Sequence, residues 1–342
     1  MHPQAEGVFK RCQSLRDIPG AVFQEALSLG GGVCADIHGD FPLGLYVVPD
    51  GIIKGDSAIL FTAAGNLISE QNAGLLTNDE LLKQITSAVN RSDTPTHKHS
   101  QLLSLVSTCT DCFWHWMMDS LPKVFVAEVC GYTGAYLIPG RHAPASVIES
   151  LEFLGITRER IIPHDGSSHL AHSLFVPTYF SGFNALYNAE LIRRYRNWIC
   201  SRISPSTPPG LRRIYVARKP TAKARRVTNH DEVARLTQQY GYETIFFENL
   251  SFDKQLNLAF EAVSMIAPHG SGMTHILFMM KNSSIIELFP HKRAGSVDCY
   301  ETLASVLHHS YTSLESTRDC GTDIEIDLGA LQHIIDKEGH SR

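Results

Sequence analysis

The stretch Ser251–Pro290, SFDKQLNLAFEAVSMIAPHGSGMTHILFMMKNSSIIELFP, constrains the fold more than any other part of the chain. Leu256, Leu258, Ala259, Phe260 and Val263 recur at helical spacing, and Ser251 followed by Asp253 suits a helix start. The apolar run Val263–Ala267 predicts a buried strand. A Pro-His-Gly-Ser-Gly turn follows, then a helix opening near Met273 and a second apolar strand, Ser284–Phe289. Strand, glycine turn, helix and strand make a βαβ unit, which implies a parallel sheet. The turn leaves backbone N–H groups free to meet an anion. It also fits an ordinary βα connection.

The rest of the chain extends this rhythm. After the proline-rich stretch Ser204–Gly210, read as a linker, come a strand at Arg213–Ala217, a basic loop at Lys219–Val227, a helix at Asp231–Tyr240 and a strand at Glu243–Phe247. A helix over Cys299–His308, a short strand from Tyr311 and a helical tail complete this half. Before the linker, short apolar runs between residues 20 and 70, separated by Gly30-Gly31-Gly32, Pro49-Asp50-Gly51 and Gly65-Asn66, predict a β-meander. A helix at Asn78–Val89, a loop at Arg91–His99, a strand at Leu102–Ser107 and a long helix at Thr110–Cys130 follow. Strands at Ala135–Ile138, Ile161–Pro163 and His172–Val176 alternate with a helix at Ala145–Leu154, and Asn188–Ile203 predicts an amphipathic helix. Two domains are expected, residues 1–204 and 205–342, in an α/β chain.

Composition narrows the function. With 43% hydrophobic and 19% charged residues, the 342-residue chain can bury a sizeable core. A net charge of −5 argues against nucleic acid as a partner. Of the eight cysteines, Cys109 and Cys112 are separated by two residues but lack the second pair a zinc site needs, and the 17 histidines fit no ligand spacing, so no metal site is expected. The N-terminal residues lack the apolar core of a signal peptide, which with unpaired cysteines predicts a cytoplasmic protein. No apolar run is long enough to span a membrane, a pattern still compatible with peripheral membrane contact.

Four constellations can carry chemistry. His269, Gly270, Ser271 and Gly272 form the glycine turn. Upstream, Arg218, Lys219, Lys223, Arg225 and Arg226 crowd the C-terminal end of a strand, where open α/β sheets bind ligands; a diphosphate site and a solvated basic loop are both open. Glu287 interrupts an apolar strand, so it requires a partner, either ribose hydroxyls or a nearby Arg or Lys. His115 and Asp119 are four residues apart within Phe-Trp-His-Trp-Met-Met-Asp and share a helix face. They fit a general base and also a core histidine satisfied by its neighbour.

In this order the blocks WHWMMDSLP, YVARKPTAKARRVTN, SFDKQ, APHGSGMTHILFM and IIELFP resemble glycosyltransferase family 61, over about residues 105–310. The resemblance implies a GT-B fold, two Rossmann-like domains facing a central cleft. It implies inverting transfer from a nucleotide sugar, usually UDP-linked, to a glycan hydroxyl, without a required metal or other cofactor, as in surface polysaccharide synthesis. On that pattern Arg218 and Arg225 meet the diphosphate, Gly270, Ser271 and Gly272 support it, and His269 faces the donor. Glu287 holds the ribose, and Asp119, assisted by His115, is the base. A binding protein that kept the scaffold without catalysis is the alternative.

Overall fold

The computed structural model describes residues 12–14, 17–25, 33–36, 39–42, 44–68, 79–90, 94–106, 112–140, 143–178, 189–219, 225–291 and 298–339. The expected Gly30-Gly31-Gly32 turn, residues 107–111 and Lys223 lie outside them. The chain divides into two compact units, Met1–Leu191 and Ile192–Arg342.

The first unit holds a mixed sheet. Its strands are β1 (Cys12–Gln13), β2 (Val22–Glu25), β5 (Gly44–Lys54), β6 (Ile59–Phe61), β7 (Leu67–Ile68), β8 (His97–Ser104), β9 (Ala135–Ile138), β10 (Ile161–Pro163) and β11 (His169–Pro177); β3 (Val33–Asp36) and β4 (Gly39–Pro42) form a separate hairpin. The order is β1-β7-β6-β5-β11-β8-β9-β10, with β2 also on β5. The β5-β6-β7 part is the expected antiparallel meander. Strands β11, β8, β9 and β10 run parallel. Val48, Ile53, Leu102, Leu137, Leu174 and Val176 bury their side chains in its core.

Two local expectations fail here for tertiary reasons. Pro49-Asp50-Gly51 is not a turn but the middle of β5, which pairs with β11 along its length. Asp50 takes φ 47° without shifting the register, and the side chain of Leu174 fills the space a Cβ on Gly51 would need. The segment from His97, expected as loop, is the start of β8, because β11 supplies a parallel partner for those polar residues.

The second unit is a five-stranded parallel sheet: β12 (Arg212–Val216), β13 (Tyr242–Ile245), β14 (Ala262–Pro268), β15 (Ser284–Phe289) and β16 (Ser310–Glu315). Helices His230–Gln239, Phe252–Glu261 and Cys299–Val306 lie between strands, and Leu328–Gly339 follows the last. Tyr215, Val233, Ile266, Ile286, Ile324 and Leu331 are core residues. The sheet order is β13-β12-β14-β15-β16. The chain therefore steps from β12 to one side, then returns to the other side of β12. In such sheets the strand ends flanking the reversal diverge and open a crevice at their C-terminal edges. Here that crevice lies beyond β12 and β14.

The division between units falls within the helix Ala189–Cys200 rather than in the proline-rich stretch. Arg196 of this helix donates to the Met279 carbonyl at 2.7 Å and Arg193 to the Val306 carbonyl at 3.2 Å. The proline-rich stretch is itself anchored. The carboxylate of Glu261, 1% exposed, accepts from Ser206 N–H at 2.7 Å, Thr207 N–H at 2.8 Å and Arg212 Nε at 2.8 Å. Burial pushes the Glu261 pKa up, but the bonds from Thr207 and Ser206 outweigh it and hold the carboxyl below its ordinary value. The stabilisation is therefore present above the unfolded carboxyl pKa and is lost as pH falls through the lower folded value. Glu261→Ala is expected to cost about 3–5 kcal/mol in denaturant unfolding at pH 7, the cost of breaking a buried ion pair.

Candidate functional site

In the second unit, the residues beyond β12 and β14 converge at the crevice. Arg218 follows β12 by two residues, and Arg225 returns the chain toward it. Arg218 Nη2 and Arg225 Nη1 both approach the His269 carbonyl at 3.4 Å. Burial lowers the Arg218 pKa, and repulsion from Arg225 adds to this, with Glu248 acting in the opposite sense. Two guanidinium groups thus share one small, partly desolvated space, which favours an anionic ligand there. Arg225 sits at φ 59°, a left-handed conformation that turns Arg225 inward while Arg226 points out to Asp323, with Arg226 Nη2 to Oδ2 at 2.6 Å. The basic stretch is therefore divided by the backbone: Arg226 is structural, and Arg218 and Arg225 face the crevice.

Gly270 is required by its conformation, with φ at 141°, and a side chain there would also displace the Arg218 guanidinium. The helix after it differs from the expected one. It begins at Ser271 and is a 3-10 helix over Ser271–Phe278, whose first bond is Met273 N–H to the Gly270 carbonyl at 2.8 Å. The amides of Gly270, Ser271 and Gly272 precede that bond.

Glu287 is buried, 1% exposed, and its partners are neither a lysine nor an arginine. His269 Nδ1 lies 2.5 Å from Oε1, and the Tyr311 hydroxyl donates to Oε2 at 2.7 Å. Both oxygens are engaged by protein groups, so in this structure Glu287 orients His269 rather than presenting an open carboxylate to a ribose. A carboxylate only accepts, so Nδ1 of His269 carries the proton that faces Glu287, and Nε2 is left on the other side of the ring. Phe289 stacks on the ring at 4.8 Å between centroids, and Tyr300 meets it edge-on at 5.6 Å. Tyr311, Phe289 and Tyr300 escaped the sequence reading. Nothing in their local spacing singles them out, because β15, β16 and the following segments bring them to His269 only when folded.

In the first unit, the expected long helix is α-helical at Phe113–His115 and at Leu121–Val129, joined by a π-helical turn at Trp116–Ser120. Such turns recur at functional sites. Trp116, Met117 and Met118 are buried, with Trp116 Nε1 donating to Ser150 Oγ at 2.9 Å. These contacts lock the turn and leave His115 and Asp119 together on its partly exposed face, Nδ1 to Oδ2 at 2.7 Å. The pair forms as the four-residue spacing predicts. One turn further, Lys123 is buried at 6% exposed, a neighbour the sequence reading missed. Burial pushes its pKa down to about 8, although the Asp119 charge raises it.

That shift has a testable sign. Below about pH 8 Lys123 is charged in both folded and unfolded chains and the burial penalty is full. Between the folded value and the unfolded value near 10.4 the unfolded chain binds the extra proton, so stability rises with pH. Lys123→Met lacks this dependence. Its stability advantage over the parent at pH 7 is expected to shrink by about 3 kcal/mol by about pH 10.5, read from paired denaturant titrations.

The glycosyltransferase 61 family model matches residues 113–286, just over half the chain, from the His115 helix to β15. This chain belongs to glycosyltransferase family 61. A curated relative, the EGF domain-specific O-linked N-acetylglucosamine transferase of Drosophila melanogaster, is 30% identical over 134 residues, 37% of this chain and 25% of the relative. The chain thus aligns with about a quarter of that relative's length. Among solved structures, the E. coli heptosyltransferase WaaC with ADP aligns over 80% of this chain and 82% of its own, at 7% identity and a TM-score of 0.28, too low to assign a fold. The family match embraces His115, Asp119, Arg218, Arg225 and His269–Gly272, while Glu287 and Tyr311 lie beyond its end.

Proposed function

We propose that this family 61 chain is an inverting glycosyltransferase that moves a sugar from a nucleoside diphosphate donor, UDP-linked, to a hydroxyl of a glycan such as a surface polysaccharide. The observation that carries the reading is the convergence of Arg218 and Arg225 on the His269 carbonyl beside Gly270, at the point where the parallel sheet reverses its strand order. Two permanent cations in a partly dry crevice match a diphosphate in charge and in hydrogen-bond geometry. They take the part a divalent metal plays elsewhere, so transfer proceeds without one. The amides of Gly270, Ser271 and Gly272 add donors, and His269, held by Glu287, offers Nε2 to the donor.

Asp119 takes the proton of the acceptor hydroxyl as its oxygen attacks the anomeric carbon. The bond to the diphosphate oxygen breaks on the opposite face, configuration inverts, and UDP departs with the electron pair. His115 holds the Asp119 carboxylate in place. The GT-B arrangement, two Rossmann-like domains facing a central cleft, belongs to this proposal and rests on family membership.

The test is a thermal-shift panel in EDTA with UDP, ADP, GDP and several UDP-sugars, including UDP-N-acetylglucosamine because of the fly relative. A ligand at 100 times its Kd adds about 2.7 kcal/mol of stability. UDP is expected to raise the melting temperature and one UDP-sugar to raise it further. Equal indifference to all nucleotides, or an undiminished UDP shift in Arg218→Ala, overturns the donor site.

A further inference from the structure

The tertiary structure gathers histidines that the sequence keeps apart. His169 opens β11 and pairs with His97 on β8, with His99 two residues along that strand. His164 and Asp165 lie in the segment between β10 and β11. His164 Nε2–H donates to the Gly55 carbonyl at 2.8 Å, which fixes its tautomer and leaves a lone pair on Nδ1. That Nδ1 is 3.2 Å from His169 Nε2, and His169 Nδ1 is 3.1 Å from His99 Nε2. His164 and His169 are 6% and 2% exposed. Asp165 stands at the surface beside them, and one ligand atom from each of His164, Asp165 and His169 lies within 4.8 Å of the others. Asp165 Oδ1 accepts from the Ser167 amide at 3.0 Å and from its hydroxyl, while Oδ2 is 3.6 Å from His97 Nε2.

We propose that His164 Nδ1, His169 Nε2 and an Asp165 carboxylate oxygen bind one divalent ion of the imidazole-preferring class, Zn²⁺ above all, with water in the fourth position. Two nitrogens bound tetrahedrally at about 2.0–2.1 Å are about 3.3 Å apart, close to the separation found. Metal-bound histidines hold their second ring nitrogen in a hydrogen bond, and here Gly55 and His99 occupy those places. Carboxylate and imidazole donors suit zinc and its first-row neighbours better than calcium or magnesium. On binding, the His169 proton moves from Nε2 to Nδ1 and points to His99 Nε2, whose own proton shifts to its Nδ1, with no change in charge.

The position separates this site from the chemistry of Asp119. It lies at the N-terminal ends of β8 and β11. The helix carrying Asp119 is tied to the other end of β8, through Ser120 Oγ donating to the Leu105 carbonyl at 2.9 Å. The eight residues of β8 span roughly 25 Å. The ion therefore clamps the β10–β11 segment to β8 and to the turn after β5, and is no partner of the reacting atoms.

The experiment uses tag-free, EDTA-stripped full chain titrated with zinc chloride against a chromophoric chelator, with metal content measured after gel filtration. One tightly bound zinc per chain and a raised melting temperature are expected. Loss of an outer-shell partner already costs about 10–100-fold in affinity, so Asp165→Asn should weaken binding by at least about 10-fold. His164→Gln should do the same. The exposed His172→Gln, outside the cluster, should bind as the parent does. Asp165→Asn sits on the surface and keeps the fold, as circular dichroism will verify. Absence of saturable zinc binding, or parental affinity in both Asp165→Asn and His164→Gln, overturns the site.

Discussion

Arg218→Ala is expected to reduce turnover about 10²-fold or more, the cost of losing one preorganised electrostatic donor to a developing charge. On the proposed mechanism the side chain meets the charge that accumulates on the departing phosphate, and its desolvated setting strengthens that interaction. The same setting makes it a poor contributor to stability, because burial and Arg225 both oppose its charge. The variant should therefore unfold at a temperature equal to or above that of the parent while losing transfer and UDP affinity. Steady-state kinetics beside a thermal melt reads both quantities. Parental turnover, or a large drop in melting temperature with turnover retained in the folded fraction, removes Arg218 from the donor site.

Asp119→Asn is expected to abolish measurable transfer and leave UDP affinity unchanged. General-base catalysis contributes about 10²–10⁴-fold, and an amide cannot take the proton. The substitution preserves size and an oxygen for His115 Nδ1–H, so the 2.7 Å contact and the π-helical turn survive. Removing the negative charge also withdraws support from the Lys123 ammonium, whose pKa should fall further below about 8. Calorimetry with UDP, alongside product formation from a UDP-sugar, separates the two roles. A parallel fall in UDP affinity would reassign Asp119 to donor binding or to the fold.

Local order decided what could be read early. The His115–Asp119 contact follows from helical spacing, and four residues span one turn in a π-helical stretch almost as in an α-helix. The apolar runs of β14 and β15 and the glycine turn are likewise written in neighbouring residues. Gly51 shows where local order misleads. Pro-Asp-Gly is a turn signal by propensity, yet pairing along β11 and the packing of Leu174 carry the strand through it. The helix after Gly270 shows the same limit, since periodicity finds a helix there without distinguishing a 3-10 from an α-helical one.

From the sequence alone come the α/β rhythm, the family, the His–Asp pair, the arginines and the glycine turn, because each is written in short blocks of neighbouring residues. Only the tertiary structure decided that Glu287 is taken by His269 and Tyr311, 18 and 24 residues away in the chain. It also decided that Glu261 anchors the proline-rich stretch 55 residues before it, and that His99 and His164 meet at His169. These contacts depend on strand order and register. A sheet joins segments by backbone hydrogen bonds that carry little side-chain information, so the partner of a buried charge appears in the sequence only as an unexplained polar residue in an apolar run.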